Sequence, residues 1–295
     1  MLVQDHIWYV TGGASGLGEA TARLLHAQGG LVSLWDIDLN RATGLATALN
    51  TILPPLPGHI TPPVPAVARN NKRRAIAVPL PRAAAFAVDV CDEGAVEAAI
   101  RGTDQLWPGL PIGGVINCGG VAMAGKTVGA DGEPFDLETF KKVVEINLVG
   151  TFNVSRLVAS RIIRDRPKPI PKAGEQTPDA GVIINTASAA ALEGQMGQVS
   201  YAASKAGVLG MGLPMARDLA WFGIRVMTLC PALFETPMTE HMPPRTRQTL
   251  LKNAEFPARF GKPVEFAHAV LMIIENEMLN GSYIRLDGAT RLGKL

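Results

Sequence analysis

Seven short apolar runs recur along the chain, at 7–10, 31–35, 85–88, 114–117, 182–185, 225–229 and 283–286. Most are continuously apolar rather than alternating, the pattern of strands covered on both faces. Between them, 16–28, 93–101, 137–164, 200–222 and 264–277 have helix-compatible spacing and composition. Strands and helices that alternate in this way feed crossover units into a parallel sheet with helices on both sides. The pattern predicts an α/β fold: one doubly wound parallel sheet flanked by helices, in a single domain over 1–295.

Two stretches break this rhythm. Residues 51–82 contain eight prolines and 166–181 contain four more, so neither forms a long regular helix. Both read as surface insertions, because added loop length costs little closure entropy. The basic cluster Lys72-Arg73-Arg74 falls inside the first and reads as a solvated loop.

Composition narrows the function classes. With 295 residues, 47% hydrophobic and 18% charged, the chain suits a packed enzyme-sized domain and not a disordered one. The 28 Lys and Arg nearly balance 26 Asp and Glu, for a formal charge of +2, so bulk electrostatics points to neither nucleic acid nor an anionic membrane. A small-molecule substrate fits better. Cys91, Cys118 and Cys230 lack both zinc-site spacing and the even framework of a secreted scaffold, so no metal is expected and a reducing, intracellular compartment is. No secretory signal precedes the first apolar run, and no run is long enough to span a bilayer. The ending Gly293-Lys294-Leu295 is one residue away from a peroxisomal address, which leaves cytoplasm, mitochondrion and peroxisome all open.

The chemistry begins directly after the first run. Thr11-Gly12-Gly13-Ala14-Ser15-Gly16-Leu17-Gly18 joins a strand to a helix, where a Gly-rich turn can set a pyrophosphate against the helix N-terminus. Without side chains at Gly12, Gly16 and Gly18, the chain can turn sharply, a cofactor can approach and the helix can sit close to the sheet. Asp36 ends the second run about 20 residues on, where a carboxylate accepts hydrogen bonds from the ribose hydroxyls of NAD and repels a 2′-phosphate. The nearest cation beyond it, Arg41, is several residues away, so NAD is expected over NADP.

Farther along, Tyr201 and Lys205 stand four residues apart, on one face of a helix. Alone this spacing is common. A nearby ammonium, however, favours the phenolate of a tyrosine, which can then exchange a proton with a substrate. Ser188 ends the apolar run 182–185 thirteen residues before Tyr201, at the carboxyl end of a strand that should face the ligand crevice. Its hydroxyl is suited to orienting the reacting oxygen. The expected reaction interconverts a secondary alcohol and a ketone by hydride transfer.

Taken together, these motifs resemble the short-chain dehydrogenase/reductase family, a group with a Rossmann-type sheet, over nearly the whole chain apart from the two Pro-rich stretches. The resemblance implies further roles. Asp89 matches the family's acid after the third strand, and Asn117-Cys118-Gly119-Gly120 its usual Asn-Asn-Ala-Gly, with departures at Cys118 and Gly119. Asn147 would complete an active-site tetrad with Ser188, Tyr201 and Lys205 by helping to position a water near Lys205. The segment from Pro231 to Thr236 would contact nicotinamide, with Ala232 in place of the usual Gly.

Residues 181–196, 200–220 and 280–289 resemble a branch of the family that acts on 3-hydroxyacyl-CoA and hydroxysteroids. That resemblance implies cofactor contacts from Ser15, Leu17, Asp36, Asp89, Val90, Cys118, Tyr201, Lys205 and Phe234, substrate contact from Gln195, and a homotetramer. Met238, Met242, Leu250 and Phe256 suggest an apolar covering over 233–261, which suits short acyl-CoA thioesters and hydroxysteroids alike. Two rival readings stand beside these: a tailoring reductase for a secondary metabolite, and an NAD-binding scaffold subunit without turnover.

Overall fold

Each predicted run forms a strand: β1 (Ile7–Thr11), β2 (Leu31–Asp36), β3 (Ala83–Ala87), β4 (Ile112–Asn117), β5 (Gly181–Thr186), β6 (Ile224–Pro231) and β7 (Tyr283–Leu286). They make one parallel seven-stranded sheet in the order β3-β2-β1-β4-β5-β6-β7. The structure is a computed structural model, and it describes residues 1–52, 80–165, 178–240, 242 and 244–291. Most of each Pro-rich stretch, with Lys72-Arg73-Arg74 and Gly293-Lys294-Leu295, lies outside the described residues.

Alternate residues of each strand serve opposite faces of the sheet. Trp8, Val10, Val32, Leu34, Val182 and Ile184 pack into one core cluster, whereas Ile7, Tyr9, Leu31, Trp35, Val115 and Ile183 pack into another. The first cluster is covered by α1 (Gly16–Ala27), α2 (Leu39–Ile52) and α9 (Pro263–Glu275), the second by α3 (Glu93–Leu106), α5 (Gly150–Arg164) and α6 (Val199–Leu219). Burial on both faces explains why the strands read as unbroken apolar runs.

Two elements differ from the sequence reading. Helix α2 has no counterpart in it, although Ala42, Leu45, Ala46 and Leu49 are buried at helical spacing. Two of those four are alanines, and the stripe they make is faint. The single helix read over 137–164 is three pieces: α4 (Leu137–Val144), a π-helical turn over Glu145–Val149 and then α5. Two short helices, α7 (Pro237–Glu240) and α8 (Pro244–Leu251), occupy the segment read as a covering over the pocket.

The strand order reverses direction between β1 and β4, where neighbouring crossovers leave opposite faces of the sheet. In an open parallel sheet, that switch opens a crevice at the carboxyl ends of the strands. Thr11 of β1 pairs with both Trp35 and Asn117, so the ends of β2, β1 and β4 are level there.

Candidate active site

A crevice of about 590 Å³ lies across those strand ends. The Gly-rich turn forms one wall. A Cβ at Gly12 would stand 2.9 Å from the Gly119 backbone, and one at Gly18 only 2.1 Å from the Gly12 carbonyl oxygen. Contacts this close tolerate hydrogen alone. Ser15 is the N-cap of α1 yet makes no side-chain capping bond, so the helix meets the crevice with N–H groups available to an anion.

At the edge of the crevice, Asp36 is held by its own backbone surroundings. Its carboxylate accepts from the N–H of Ala14 at 3.0 Å and of Asp38 at 3.0 Å, which ties the Gly-rich turn to the end of β2. Leu17, Asp89, Val90, Cys118 and Gly119 line the same space. A bare turn, an uncapped helix end and a fixed carboxylate together fit a dinucleotide.

The other wall carries Ser188, Tyr201 and Lys205, all lining the crevice. Ser188 caps the 3₁₀ turn Ala189–Ala191, and its Oγ accepts from the Ala190 N–H at 3.1 Å. The nearby Ser188 hydroxyl lowers the pKa of the Tyr201 phenol, while burial, the larger effect, raises it. The Lys205 ammonium donates to the Thr186 carbonyl at 2.8 Å and lies 5.9 Å from the centre of the Tyr201 ring. Burial lowers its pKa to about 8.

Asn147 stands one layer behind, fully buried, within the π-helical turn. Its amide oxygen accepts from Val121 N–H at 2.8 Å, and its Nδ2 donates to the Val121 carbonyl at 2.9 Å and to Ser204 Oγ at 3.0 Å. Ser204 Oγ in turn donates to the Tyr201 carbonyl at 2.8 Å. A Cβ at Gly120 would lie 2.9 Å from Asn147 Oδ1 and 3.3 Å from Lys205 Nζ, so the amide and the ammonium flank one bare glycine. π-Helical turns concentrate at functional sites because they re-aim backbone groups.

Besides Asn147, two predicted residues stand apart from the crevice lining. Asn117 donates to Ser155 Oγ and Asn185 Oδ1, both at 2.9 Å, and so cross-links β4 to α5 and β5. Gln195 lies in the loop after Ser188; its backbone N–H donates to Gln198 Oε1 at 3.2 Å, and its buried Nε2 has no partner. Pro231, Phe234 and Thr236 do line the crevice, and a Cβ at Gly16 would stand 3.2 Å from the Thr236 side chain.

The departures from the family pattern are accommodated. Thr186 Oγ1 donates to Cys118 Sγ at 3.8 Å, and a Cβ at Gly119 would meet Thr11 Oγ1 at 3.3 Å, a tight contact with one movable side chain. Ala232 is not at positive φ, so it needs no glycine. Sequence reasoning missed Thr186, whose carbonyl anchors Lys205, and Ser204, which bridges Asn147 to Tyr201. Ser204 lies inside the Tyr-to-Lys spacing and adjoins Lys205 in sequence, a position that gave a usable signal. A backbone carbonyl gives none.

A family model described as short chain dehydrogenase matches residues 63–246. The 3-hydroxyacyl-CoA dehydrogenase type-2 of Bos taurus is 42% identical over 292 residues, covering 98% of this chain and 97% of its own length. An ipsdienol dehydrogenase from Ips pini is 33% identical, with 98% of each chain covered. The crystal structure of a 3-hydroxyacyl-CoA dehydrogenase type-2 from Mycobacterium avium superposes with a TM-score of 0.79 at 36% identity, covering 98% of this chain and 97% of the other. A parallel sheet with its crevice at the strand switch, a glycine turn and a facing Ser-Tyr-Lys wall agree with these likenesses: the chain belongs to the short-chain dehydrogenase family and is an oxidoreductase.

Proposed function

We propose that the chain is an NAD-dependent dehydrogenase that interconverts a secondary alcohol and a ketone, with 3-hydroxyacyl-CoA thioesters as its substrate class. The observation that carries this reading is the convergence of Ser188, Tyr201 and Lys205 on the crevice whose other wall is the Gly-rich turn. The substrate class rests on the names of the relatives at about two-fifths identity over nearly the whole chain.

In oxidation, Tyr201 accepts the proton of the substrate hydroxyl, while Ser188 donates a hydrogen bond that fixes the same oxygen. Lys205 favours the phenolate form of Tyr201 through its positive charge, and the Thr186 carbonyl keeps that charge in place. Asn147 holds the segment behind Lys205 where a relay water would sit. When bound, the nicotinamide supplies the hydride acceptor for oxidation and the hydride donor for reduction. The Gly-rich turn and the N-terminus of α1 would hold the cofactor's pyrophosphate, and Asp36 its adenosine ribose.

NAD is favoured over NADP because the carboxylate of Asp36, on the crevice at the end of β2, would accept from ribose hydroxyls and repel a 2′-phosphate. Beside it Ile37 is 80% exposed and offers that phosphate no donor, while Arg41 is not among the crevice-lining residues. Lys142 lines the crevice as well, which makes NADPH the informative comparison.

The test is a rate comparison with NADH and NADPH on acetoacetyl-CoA, bulky cyclic ketones and a hydroxysteroid-derived ketone. Preferential turnover of acetoacetyl-CoA with NADH is expected. Preference for cyclic ketones would move the assignment to a hydroxysteroid or tailoring enzyme, a reading favoured by the half-exposed apolar Met238 on the crevice. Saturable NADH binding without turnover would leave a scaffold subunit.

We also read 1–295 as one domain, because the first strand and the last belong to one sheet and α1 packs on α9. A homotetramer is supported by exposed Val149, which ends the π-helical turn, by exposed Phe152 of α5, and by β7, which among the described residues pairs on one side only. The three unpaired cysteines suit a reducing compartment.

A further inference from the structure

Outside the crevice, one group of charges joins the loop after Ser188, β7 and the turn beyond it. Arg285 of β7 donates from Nη1 to Glu193 Oε1 at 2.7 Å, from Nε to Asp287 Oδ2 at 2.5 Å and from Nη2 to the Thr290 carbonyl at 3.2 Å. Arg291 adds a bond to Asp287 at 3.1 Å and an ion pair with Glu193 at 3.5 Å. Arg285 and Glu193 are 20% and 23% exposed, so water and salt screen their pairing less than that of a surface pair.

Glu193 lies five residues after Ser188, and its N–H donates to the Ala189 carbonyl at 3.0 Å, which makes it the outer end of the turn that Ser188 caps. Arg285 pairs in the sheet with Cys230, next to Pro231 of the crevice. The turn beyond β7 also holds the chain between α8 and α9, since Phe256 N–H donates to the Gly288 carbonyl at 3.3 Å. One guanidinium therefore ties the Ser188 wall to the same turn that holds the chain between α8 and α9. Neither Glu193 nor Arg285 lines the crevice, so any influence on substrate is through position.

We infer that Glu193 and Arg285 are positioning residues: an ionic latch that sets the Ser188 wall against the C-terminal turn and thereby tunes substrate binding without touching substrate. This rests on the dehydrogenase reading given above. The pyrophosphate and adenosine end of the cofactor would be held by other elements, the Gly-rich turn and the end of β2, and only the nicotinamide-side segment from Pro231 adjoins the latch, through the Cys230–Arg285 pairing, so NADH affinity should depend on the latch less than substrate binding does. A residue with a merely structural role would lower stability or the active fraction and leave KM alone.

The experiment measures kcat and KM for acetoacetyl-CoA, together with the Kd for NADH by fluorescence, in wild type, Glu193→Ala, Glu193→Asp, Arg285→Met and Glu193→Ala combined with Arg285→Met. Glu193→Ala is expected to raise substrate KM about ten-fold with NADH affinity within about two-fold of wild type. Glu193→Asp is expected to recover part of that loss, and the double variant is expected to change KM no further than Arg285→Met alone. Glu193 is in a loop, so its single variants report even if the Arg285 variants fail to fold. An unchanged KM in Glu193→Ala, a parallel loss of NADH affinity, or failure of Glu193→Asp to recover any affinity overturns the latch while wild type turns over. A wild-type chain that binds NADH but turns over no substrate overturns the parent reading, and the latch with it.

Discussion

At the scale of single residues, Lys205 concentrates the tension between folding and chemistry. The free side chain keeps its proton to about 10.5, whereas burial lowers the folded value to about 8. Between those values the unfolded chain binds more protons, so stability rises with pH through that window, and below about 8 the folded chain bears the full cost of a buried ammonium. Lys205→Met removes that cost. The variant should be inactive yet more stable than wild type near pH 7 by on the order of 1–3 kcal/mol, the margin being held down by the orphaned Thr186 carbonyl. Denaturant midpoints should show this margin shrinking as pH climbs from about 8 to about 10.5. A variant less stable than wild type at neutral pH would contradict the buried-charge account.

Residues whose side chains line the crevice were the most legible. Tyr201 and Lys205 declared themselves by spacing, and Ser188 and Asp36 by their places at strand ends. What the sequence could not convey was indirect contact. The Asp36 carboxylate is occupied by two backbone N–H groups, and Asn117 is turned into a cross-link between strands and a helix. Neither partner set leaves a pattern in residue type.

At the scale of elements, the join between β1 and α1 has almost no slack, whereas α2 has some to spare. Gly18→Ala would drive a methyl into the Gly12 carbonyl, 2.1 Å away, and push the helix off the turn. NADH affinity should fall at least about ten-fold in a fluorescence titration, through loss of a preorganised anion site. A methyl at Gly44 of α2 would meet nothing within 4 Å, so Gly44→Ala should raise stability by about 0.5–1 kcal/mol through helix propensity, read as a shifted denaturation midpoint. Unchanged NADH affinity in Gly18→Ala would undo the assignment of close approach there, and a lowered midpoint in Gly44→Ala would undo that of open space.

Strands and most helices were legible because burial on both sides leaves long apolar runs separated by helical stripes. The π-helical turn at Glu145–Val149 was not, since one extra residue per turn barely alters apolar spacing over so short a stretch. Helix α2 was hidden by its alanines and by the proline-rich sequence that follows it.

At the scale of the whole molecule, the N-terminal half of the sheet carries a hidden acid sensitivity. His26 is buried at the end of α1 with Nε2 unpartnered, and burial, assisted by Arg82, lowers its pKa below the ordinary 6.5. Below about 6.5 the unfolded chain therefore takes up a proton that the folded chain resists, so stability falls as pH drops toward the folded value. His26→Leu should flatten that decline in thermal midpoints measured from pH 7.5 to 5, and an unaltered slope would show that the decline arises elsewhere. Assembly belongs to the same scale: light scattering is expected to give four copies, and a monomer at micromolar concentration would contradict the reading of α5 and β7 as interfaces.

The account turns on proton transfer at Tyr201, and Tyr201→Phe reads it most directly, because the substitution removes one oxygen and leaves the ring in place. Measured with saturating NADH and acetoacetyl-CoA, the variant should bind NADH like wild type and turn over about 10²–10⁴ times more slowly. Wild-type turnover in a variant that folds and binds NADH would contradict it.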